Sequence, residues 1–534
     1  MKQWLFALIL FPFSVWAVDP YPRQPQLDVQ HYVFRLALYD STDVVTGHAS
    51  VTIRFVEPVT SFELDLVGKE RGGKGMGVTS VQLNGKSLAS TFRGDRLVIQ
   101  LPEATRQGER KTFEIRYQGI PADGLIIGRN KFGDRTFFGD NWPNRAHHWL
   151  PTIDHPSDKA TVEFLVTAPE QYSVVANGLR TEEYALPGRM RLTHWSESVP
   201  LPTKVMVIGA ARFAIREEGK VEGIPVQTWV YPQNKDAGFT DYAIGVQVLD
   251  YFQHHLAQYP FEKLANVQST TRYGGMENAG NIFYFENSVN GLNQRETLFA
   301  HEIAHQWFGD SASEGDWYHV WLSEGFATYL THLYLEHTYG RDRMAEELQD
   351  DRRQVVAYFR KNPTPIIQSG ETDLTKLLNT NSYQKASWVL HMLRREVGDE
   401  NFWKGIRAYY RKYQLSNALT DDFRAIMEDV SGQSLEKFFR QWLWQPGHPQ
   451  LAIQWHYDAT KKTVEVDVLQ KDKVFEFPLE IGVFEAPESV PVVQKLLISG
   501  QNQHFSFPSP RPVRVVADPG TWLLFEGSCT ETAK

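Results

Sequence analysis

Two histidines four residues apart, with a glutamate directly after the first, stand near the middle of the chain. They are His301, Glu302 and His305, in a segment with helical periodicity from 295 to 308. Residues four apart share one face of a helix, so both imidazoles would reach the same metal ion. Glu302, offset by about 100° around the helix, would address a water molecule on that ion. The spacing predicts a metal site with hydrolytic chemistry.

A third ligand follows 19 residues after His305. Glu324 lies in a second segment of helical periodicity, residues 321–338. A second helix packed antiparallel to the first would carry this carboxylate over the two imidazoles and complete a His₂Glu set. Such a set leaves a fourth position for water, as catalytic zinc sites do, and cobalt or manganese is the alternative metal. The alternative for all these residues is a helix pair in which they serve only packing or solvation.

Two further motifs accompany the metal-ligating residues. They are Gly274-Gly275-Met276-Glu277-Asn278 before the histidines and Tyr383-Gln384-Lys385 after Glu324. In this combination the sequence resembles the aminopeptidase N family of zinc metallopeptidases, and the resemblance extends from the first β-rich region to the end of the chain. It implies one zinc ion per chain, bound by His301, His305 and Glu324. It also implies the removal of single amino acids from the N-termini of peptides.

The resemblance assigns a role to each motif residue. Glu302 is the general base that takes a proton from metal-activated water and later passes it to the leaving amine. The phenol of Tyr383 helps to stabilise the oxyanion, a role that depends on the resemblance. Glu277 pairs with the α-ammonium of the substrate and so places the scissile carbonyl one residue away. The substrate-binding segment also includes Gly274, Gly275, Met276 and Asn278.

The sequence departs from the family at three places. The family often has alanine where Gly275 stands, and we expect glycine to loosen the loop slightly. The family commonly supplies a glutamine from the first domain as a second contact for the amine; here Asn141 or Asp140 is the candidate replacement. Many members add a large C-terminal helical domain over the active site, whereas this sequence stops after a β-rich region. We therefore expect a more open cleft that accepts longer peptides.

The periodicity of the sequence divides it into regions that would position these residues. Alternating apolar and polar residues in 18–217 predict an antiparallel β-domain, with a type I′ hairpin at Asn84-Gly85. Helical periodicity dominates 218–446, and alternation returns in 447–534, which predicts a small β-sandwich. The expected fold is a multidomain α+β protein. The resemblance implies that its first domain is a β-saddle and its mainly helical catalytic domain is thermolysin-like. Other helical stretches lie near 242–256, 383–397, 400–413 and 420–430.

Composition narrows the class of protein. The chain has 534 residues, of which 42% are hydrophobic and 22% charged, a typical globular composition. Its net charge is −9, with basic residues scattered along the sequence, which argues against nucleic acid as a partner. The single cysteine, Cys529, excludes an internal disulfide framework and a zinc site of cysteine type. Metal ligands must therefore be His, Asp or Glu.

The first 17 residues resemble a targeting segment. Lys2 provides the positive start, an apolar run extends from Trp4 to Val15, and Ala17 precedes a plausible cleavage site. This pattern predicts a signal peptide and an exported protein, periplasmic or secreted. The apolar run is shorter than the ~20 residues that span a bilayer, so we expect no membrane association after cleavage. The expected partners are peptides with a free N-terminus, and a monomer is favoured.

Three other functions compete with the aminopeptidase hypothesis. A thermolysin-like endopeptidase would bind peptides across the whole cleft, which an ammonium anchor at Glu277 obstructs. A catalytically inactive scaffold would be expected to have lost a metal ligand or the base, yet all of them are present. A lipid epoxide hydrolase, a side branch of the family, would need a lipid channel, for which the sequence gives no indication. The aminopeptidase is therefore the leading hypothesis.

Overall fold

The computed structural model of the protein describes residues 19–69 and 72–532. The predicted signal peptide, residues 1–17, lies outside the described residues. β-sheet dominates the first third of the described chain, helices dominate the middle, and β-sheet returns at the end. This order confirms the predicted multidomain α+β architecture. No helix of the described part has both the length and the apolar character needed to cross a membrane.

The N-terminal region is built from three sheets. The largest has the strand order β13-β14-β11-β1-β2-β8-β4-β5, and the smaller ones have the orders β12-β15-β10-β9 and β3-β7-β6. The strands are β1 (Leu27–Ala37), β2 (Val45–Phe55), β3 (Ser61–Asp65), β4 (Gly75–Leu83), β5 (Lys86–Ser87), β6 (Ser90–Phe92), β7 (Arg96–Gln100), β8 (Arg110–Ile120), β9 (Leu125–Arg129), β10 (Arg135–Gly139), β11 (Ala160–Pro169), β12 (Ser173–Ala176), β13 (Leu179–Leu186), β14 (Met190–Leu201) and β15 (Ile208–Ala211).

The alternation in the sequence matches the burial of these strands. In β8 every second residue, such as Phe113, Ile115 and Tyr117, is buried, because successive side chains of a strand point to opposite faces. The predicted hairpin is confirmed: Asn84 and Gly85 join β4 to β5 with φ of 51° and 77°. A positive φ at both positions is the requirement of a type I′ turn.

The middle region combines a five-stranded sheet with a set of helices. The sheet order is β16-β17-β18-β20-β19, so that β19 lies at an edge. The strands are β16 (Ala214–Val221), β17 (Ile224–Val230), β18 (Leu264–Ser269), β19 (Gly275–Met276), β20 (Asn281–Phe285), β21 (Ala312–Glu314) and β22 (Ser416–Ala418). The helices are α1 (Lys235–Tyr242), α2 (Ile244–His255), α3 (Glu296–His305), α4 (Trp321–Tyr339), α5 (Arg341–Phe359), α6 (Ala386–Val397), α7 (Asp399–Tyr413), α8 (Thr420–Ser431) and α9 (Glu436–Phe439). Two π-helical turns, Asn381–Lys385 and Arg440–Trp444, precede α6 and follow α9.

Helix α4 is the central support of this region. It is buried on all sides from Trp321 to Leu335, so its position is fixed by packing around its whole circumference. A Cβ atom on Gly325 would lie 2.5 Å from Cβ of Ala386, so the glycine allows α6 to pack closely against α4. Residues carried by α4 therefore have little freedom to move.

The C-terminal region contains two facing sheets, which confirms the predicted sandwich. Their orders are β27-β24-β23-β29 and β26-β25-β28. The strands are β23 (Gln450–Asp458), β24 (Thr463–Gln470), β25 (Phe477–Phe484), β26 (Val492–Ile498), β27 (Asn502–Pro508), β28 (Arg514–Ala517) and β29 (Glu526–Glu531). Arg352 of α5 contacts Asp518 at 2.7 Å and thereby joins the sandwich to the helices.

Two lysines, buried Lys204 and half-buried Lys159, join the N-terminal region to the middle region. Lys204 forms an ion pair of 2.6 Å with Glu314, and both side chains are almost fully buried. Lys159 donates hydrogen bonds to the carbonyls of Asp310 and Ser311 at 3.0 and 2.7 Å. These contacts fix the segment after α3 against the first region. The domain boundaries at 217/218 and 446/447 stay predictions.

Candidate active site

Helices α3 and α4 bring the three predicted metal ligands together. The Nε2 atoms of His301 and His305 are 3.1 Å apart, and Oε2 of Glu324 lies 3.3 and 3.1 Å from them. Donors about 2.0–2.1 Å from one tetrahedral zinc ion would be separated by about 3.3 Å. The three atoms therefore form one face of a tetrahedron of the size that zinc requires.

The orientation of His305 is set by its second nitrogen. Nδ1 lies 3.2 Å from the carbonyl oxygen of Phe308 and 3.0 Å from Oγ of Ser323. Since a carbonyl only accepts hydrogen bonds, Nδ1 carries the proton and Nε2 presents its lone pair to the metal position. Metal-binding histidines are commonly held in this way.

Gly309 makes the close approach of α3 to α4 possible. Its φ of 127° is one that residues with a side chain rarely adopt. A Cβ atom there would lie 2.4 Å from Oγ of Ser323, which directly precedes Glu324. The glycine thus lets the chain leave α3 without displacing the ligand-bearing turn of α4.

The charge of the site requires a cation. Glu277, Glu302 and Glu324 are each no more than 5% exposed, and among the described residues nothing donates a hydrogen bond to Oε2 of Glu324. Burial, with the neighbouring carboxylates acting in the same direction, raises the pKa of Glu302 well above its usual range. Three buried carboxylates are costly unless cations compensate them. Two imidazoles and a carboxylate are donors that suit zinc, so the residues present fit this ion.

Glu277 lies directly after the edge strand β19. Its carboxylate is buried, and within the described chain its Oε1 atom has no hydrogen-bond partner. Burial raises the pKa of this carboxyl group above its usual range. An unpaired buried carboxylate is the group that an ammonium ion of a ligand would satisfy. Among the described strands β19 pairs with β20 alone, so its outer edge can also hydrogen-bond an extended peptide.

A cavity of about 470 Å³ contains these groups. Its lining includes all three metal ligands, Glu302, Tyr383 and the motif residues Gly274, Gly275, Met276 and Glu277. Asn278 does not line it, and its side chain is fully buried. The cavity thus brings together the predicted metal ligands, Glu302, Tyr383 and residues 274–277.

Tyr383 reaches the cavity from the π-helical turn before α6. Its ring stacks on the ring of His301, with centroids 5.8 Å apart and an interplanar angle of 17°. Burial and the nearby Glu324 raise the pKa of the phenol well above its usual range, so it stays a hydrogen-bond donor. A π-helical turn widens the helix locally and is frequent at functional sites.

Gly275 has a different role from the loosening that the sequence suggested. A Cβ atom on Gly275 would lie 2.2 Å from Oε1 and 2.3 Å from Cδ of Glu302. The glycine therefore leaves the space in which the Glu302 carboxylate lies, and the backbone of β19 packs directly on the proposed base.

Substitution of Gly275 by alanine is expected to displace the Glu302 carboxylate. Because the carboxylate is the movable end of a flexible side chain, and alanine is common at this position in the family that the sequence resembles, we expect kcat to fall by no more than about tenfold, without a change in zinc content. Gly128→Ala in β9 is the control, since a Cβ atom there would have no neighbour within 4 Å and the residue lies outside the cavity lining. Steady-state kinetics of both variants check this; equal rates for the two would contradict it.

Neither Asn141 nor Asp140 lines the cavity, so the prediction that one of them contacts the substrate amine is wrong. The amide of Asn141 is occupied by the carbonyls of Thr203 and Met206 and by the indole N–H of Trp149. The carboxylate of Asp140 accepts hydrogen bonds from Arg145 and from the backbone of Arg272. Both side chains are fully buried and serve the packing of the first region. The residue of this segment that lines the cavity is Trp142.

Two parts of the site were not predicted from the sequence. The first is Gln306, whose buried amide bonds the backbone of Glu277. The second is one turn of α5, which contributes Glu347, Asp350 and Asp351 to the cavity lining. The helical spacing of buried Met344, Leu348 and Val355 is a signal that could have located α5.

A His₂Glu metal site on two packed helices, beside the edge strand of a sheet, defines a metallopeptidase of the thermolysin-like class. Two family models match the chain: Peptidase M1 N-terminal domain over residues 28–205 and Peptidase family M1 domain over residues 241–442. The second match contains every metal ligand and Tyr383. The chain belongs to peptidase family M1.

Known proteins similar to this chain have names consistent with the family. Human glutamyl aminopeptidase is 30% identical over 345 residues, which is 61% of this chain and 36% of that protein. Aminopeptidase M1 of Arabidopsis thaliana is 28% identical, covering 58% of this chain and 36% of that protein. The chain thus spans a little over one third of these curated relatives. The M1 zinc metallopeptidase of Deinococcus radiodurans superposes with a TM-score of 0.69 at 25% identity, over 81% of this chain and 96% of that one.

Proposed function

We propose that the protein is a zinc-dependent aminopeptidase that releases single residues from the N-termini of peptides. The observation that carries this proposal is the position of Glu277. Its carboxylate is buried in the cavity that holds the His₂Glu set, and no group of the described chain forms a hydrogen bond with its Oε1 atom. An anionic clamp at one end of the site selects the free amine of a peptide and excludes a chain that continues past it.

The proposed binding mode follows from the elements around the cavity. The α-ammonium of the substrate pairs with Glu277, and the backbone of the first residue lies along the free edge of β19. Gly274 and Gly275 allow the substrate backbone to approach this edge closely, because neither has a side chain. The first peptide carbonyl is then directed to the metal position, so only the bond after the first residue is cleaved.

The proposed chemistry assigns one task to each side chain. His301, His305 and Glu324 would hold a zinc ion, which would supply a Lewis acid for the carbonyl oxygen and lower the pKa of bound water. Glu302 accepts the proton of the attacking water on its carboxylate and then delivers it to the departing amine. The Tyr383 phenol donates a hydrogen bond to the carbonyl oxygen as negative charge develops there.

An assay of aminoacyl amides with free and N-acetylated amines tests the proposal. We expect hydrolysis of the free-amine compounds, loss of this activity with a zinc chelator, and its return when zinc is added. The acetylated compounds are expected to react at least ~10²-fold more slowly, because they lack the ammonium that pairs with Glu277. Equal hydrolysis of both series would show an endopeptidase or another hydrolase.

The charge of the cavity supports a further part of the proposal, a preference among substrates. The relatives named glutamyl aminopeptidase are named for acidic substrates. Here the described lining residues include no Arg or Lys, whereas α5 adds the carboxylates of Glu347, Asp350 and Asp351. His332 is the partner of Asp351, at 2.8 Å. We propose that the enzyme acts on neutral and basic residues and disfavours acidic ones.

Peptides that differ only by Lys or Glu near the N-terminus test this preference. We expect kcat/KM about tenfold or more higher for the lysine peptide at low ionic strength, with a smaller ratio in high salt because salt screens the carboxylates. Asp350→Asn is expected to reduce the ratio. Asp342→Asn on the same helix, outside the lining, is the control and should leave it unchanged. A preference for the glutamate peptide would contradict the proposal.

Export of the protein is proposed from the first 17 residues. Their positive start, apolar run and small residue before Val18 are typical of a signal peptide. Mass spectrometry of the protein purified from its source would give an N-terminus at Val18 if this is correct. We further propose that the exported protein is a monomer that acts on peptides outside the cytoplasm.

A further inference from the structure

The residue after the second histidine ligand has a side chain that contributes to no step of the chemistry above. Gln306 is fully buried at the end of α3. Its Nε2 group donates hydrogen bonds to the carbonyl of Glu277 at 2.7 Å and to Oδ2 of Asp310 at 2.9 Å. Its Oε1 atom accepts from the backbone N–H of Gly280 at 2.7 Å and, at 3.1 Å, from the hydroxyl of Tyr259, whose proton is shared with the carbonyl of Lys263.

These four bonds use the full capacity of the amide. A glutamine side chain has two N–H donors and an oxygen with two lone pairs, and all four find partners here. Only one orientation of the amide is possible, because the Glu277 carbonyl only accepts and the Gly280 N–H only donates. A buried group that is satisfied in a single way is rigid and costly to move.

The contacts join the amine anchor to the metal helix. Gln306 directly follows His305, whereas Glu277 and Gly280 are at the two ends of the turn after β19. The same turn is held from two other sides: Asn177 donates to the carbonyl of Ala279 at 2.8 Å, and Lys263 donates to that of Gly280 at 3.0 Å. Of these contacts, only that of Gln306 comes from the helix that carries the histidines.

We propose that Gln306 is a positioning residue for substrate recognition, setting the distance between the Glu277 carboxylate and the metal position. The inference rests on the proposed aminopeptidase function. In such an enzyme the spacing between amine anchor and metal selects the bond after the first residue. A displacement of about 1 Å at this spacing is enough to lower the rate ~10²-fold.

The variant Gln306→Met tests the proposal, because methionine fills similar volume without hydrogen bonds. Gln470→Met is the matched control. Gln470 is also fully buried, with its amide bonded to the backbone of Phe475 and Gly500, but it lies in the C-terminal sandwich. Both variants are expected to lose some stability, so thermal unfolding is measured for each.

The decisive readout compares ligands with and without an α-amine. For Gln306→Met we expect kcat/KM for a free-amine aminoacyl amide to fall about tenfold to 100-fold. The inhibition constant of acetohydroxamate, which binds zinc without an amine, and the zinc content should stay within about twofold. Gln470→Met should change none of the three. In the Glu277→Ala background, adding Gln306→Met is expected to lower kcat/KM for the free-amine substrate by a further factor of less than about three. The reason is that Gln306 acts through Glu277.

Two outcomes would overturn the proposal. If Gln306→Met weakens hydroxamate binding as strongly as it lowers kcat/KM, its role is general packing of the metal helix. If its effect and that of Glu277→Ala multiply, Gln306 does not act through the anchor.

Should Gln306→Met not fold, Gln306→Glu is measured in the same way, since it keeps the acceptor oxygen and removes the N–H donors. A wild type that does not discriminate against acetylated substrates would refute the proposed function itself, a separate result.

Discussion

Replacing Glu302 by glutamine is expected to leave the metal in place and to lower kcat by at least ~10²-fold. The amide has nearly the same shape as the carboxylate, so the packing on Gly275 is retained. It cannot accept a proton from water, however, and the proposed mechanism has no other base at this position. Glu302 is beside the ligands, but it is not one of the three donor atoms that surround the metal position.

Kinetics and metal analysis of the same preparation check this expectation. The zinc content should match that of the wild type, and KM should change little, because Glu302 does not bind the substrate amine. Glu296→Gln provides a control on the same helix. Its carboxylate accepts hydrogen bonds from Tyr334 and Tyr339 at 2.6 and 2.7 Å and lies outside the cavity lining. A Glu302→Gln enzyme with wild-type kcat would remove the base from the mechanism.

Replacing Glu277 by alanine is expected to abolish the preference for a free N-terminus. Loss of a buried partner of a charged group costs about 2–5 kcal/mol, so we expect kcat/KM for free-amine substrates to fall by ~10²-fold or more. The slow reaction of N-acetylated substrates should change little, because they make no ion pair with this residue. The discrimination between the two series would therefore largely disappear.

Glu277→Gln separates the charge of this residue from its shape. Glutamine preserves the volume and the backbone contact with Gln306 but removes the negative charge. We expect its kcat/KM to lie between those of the wild type and Glu277→Ala, closer to alanine, because charge-assisted hydrogen bonds are about twice as strong as neutral ones. Similar losses on free and acetylated substrates in both variants would show that the anchor is misassigned.

The metal site could be predicted from the sequence because its geometry is local. His301 and His305 are one turn apart, so any helix places them together. The prediction of Glu324 as a ligand also required a second helix packed against the first. The apolar residues around Glu324 were sufficient to indicate that helix. Helix α4 is observed from Trp321 to Tyr339, close to the predicted 321–338.

The contacts between distant segments could not be predicted in the same way. Gln306 looks like an ordinary polar residue after a motif, and its four partners come from residues 4 to 47 positions away in the sequence. The prediction that Asn141 or Asp140 contacts the substrate amine was wrong for a related reason. Their side chains bond to Met206 and Arg145, and only the folded structure shows these partners. The helix predicted from 383 begins as the π-helical turn Asn381–Lys385, which residue periodicity does not distinguish from an α-helix.

Anomalous diffraction at the zinc absorption edge, on crystals of the catalytically active protein, tests the arrangement of His301, His305 and Glu324 most directly. We predict one peak in the cavity, about 2.0–2.1 Å from both Nε2 atoms and from a carboxylate oxygen of Glu324. Crystals of active protein with no peak there, or with a metal bound elsewhere, would contradict it.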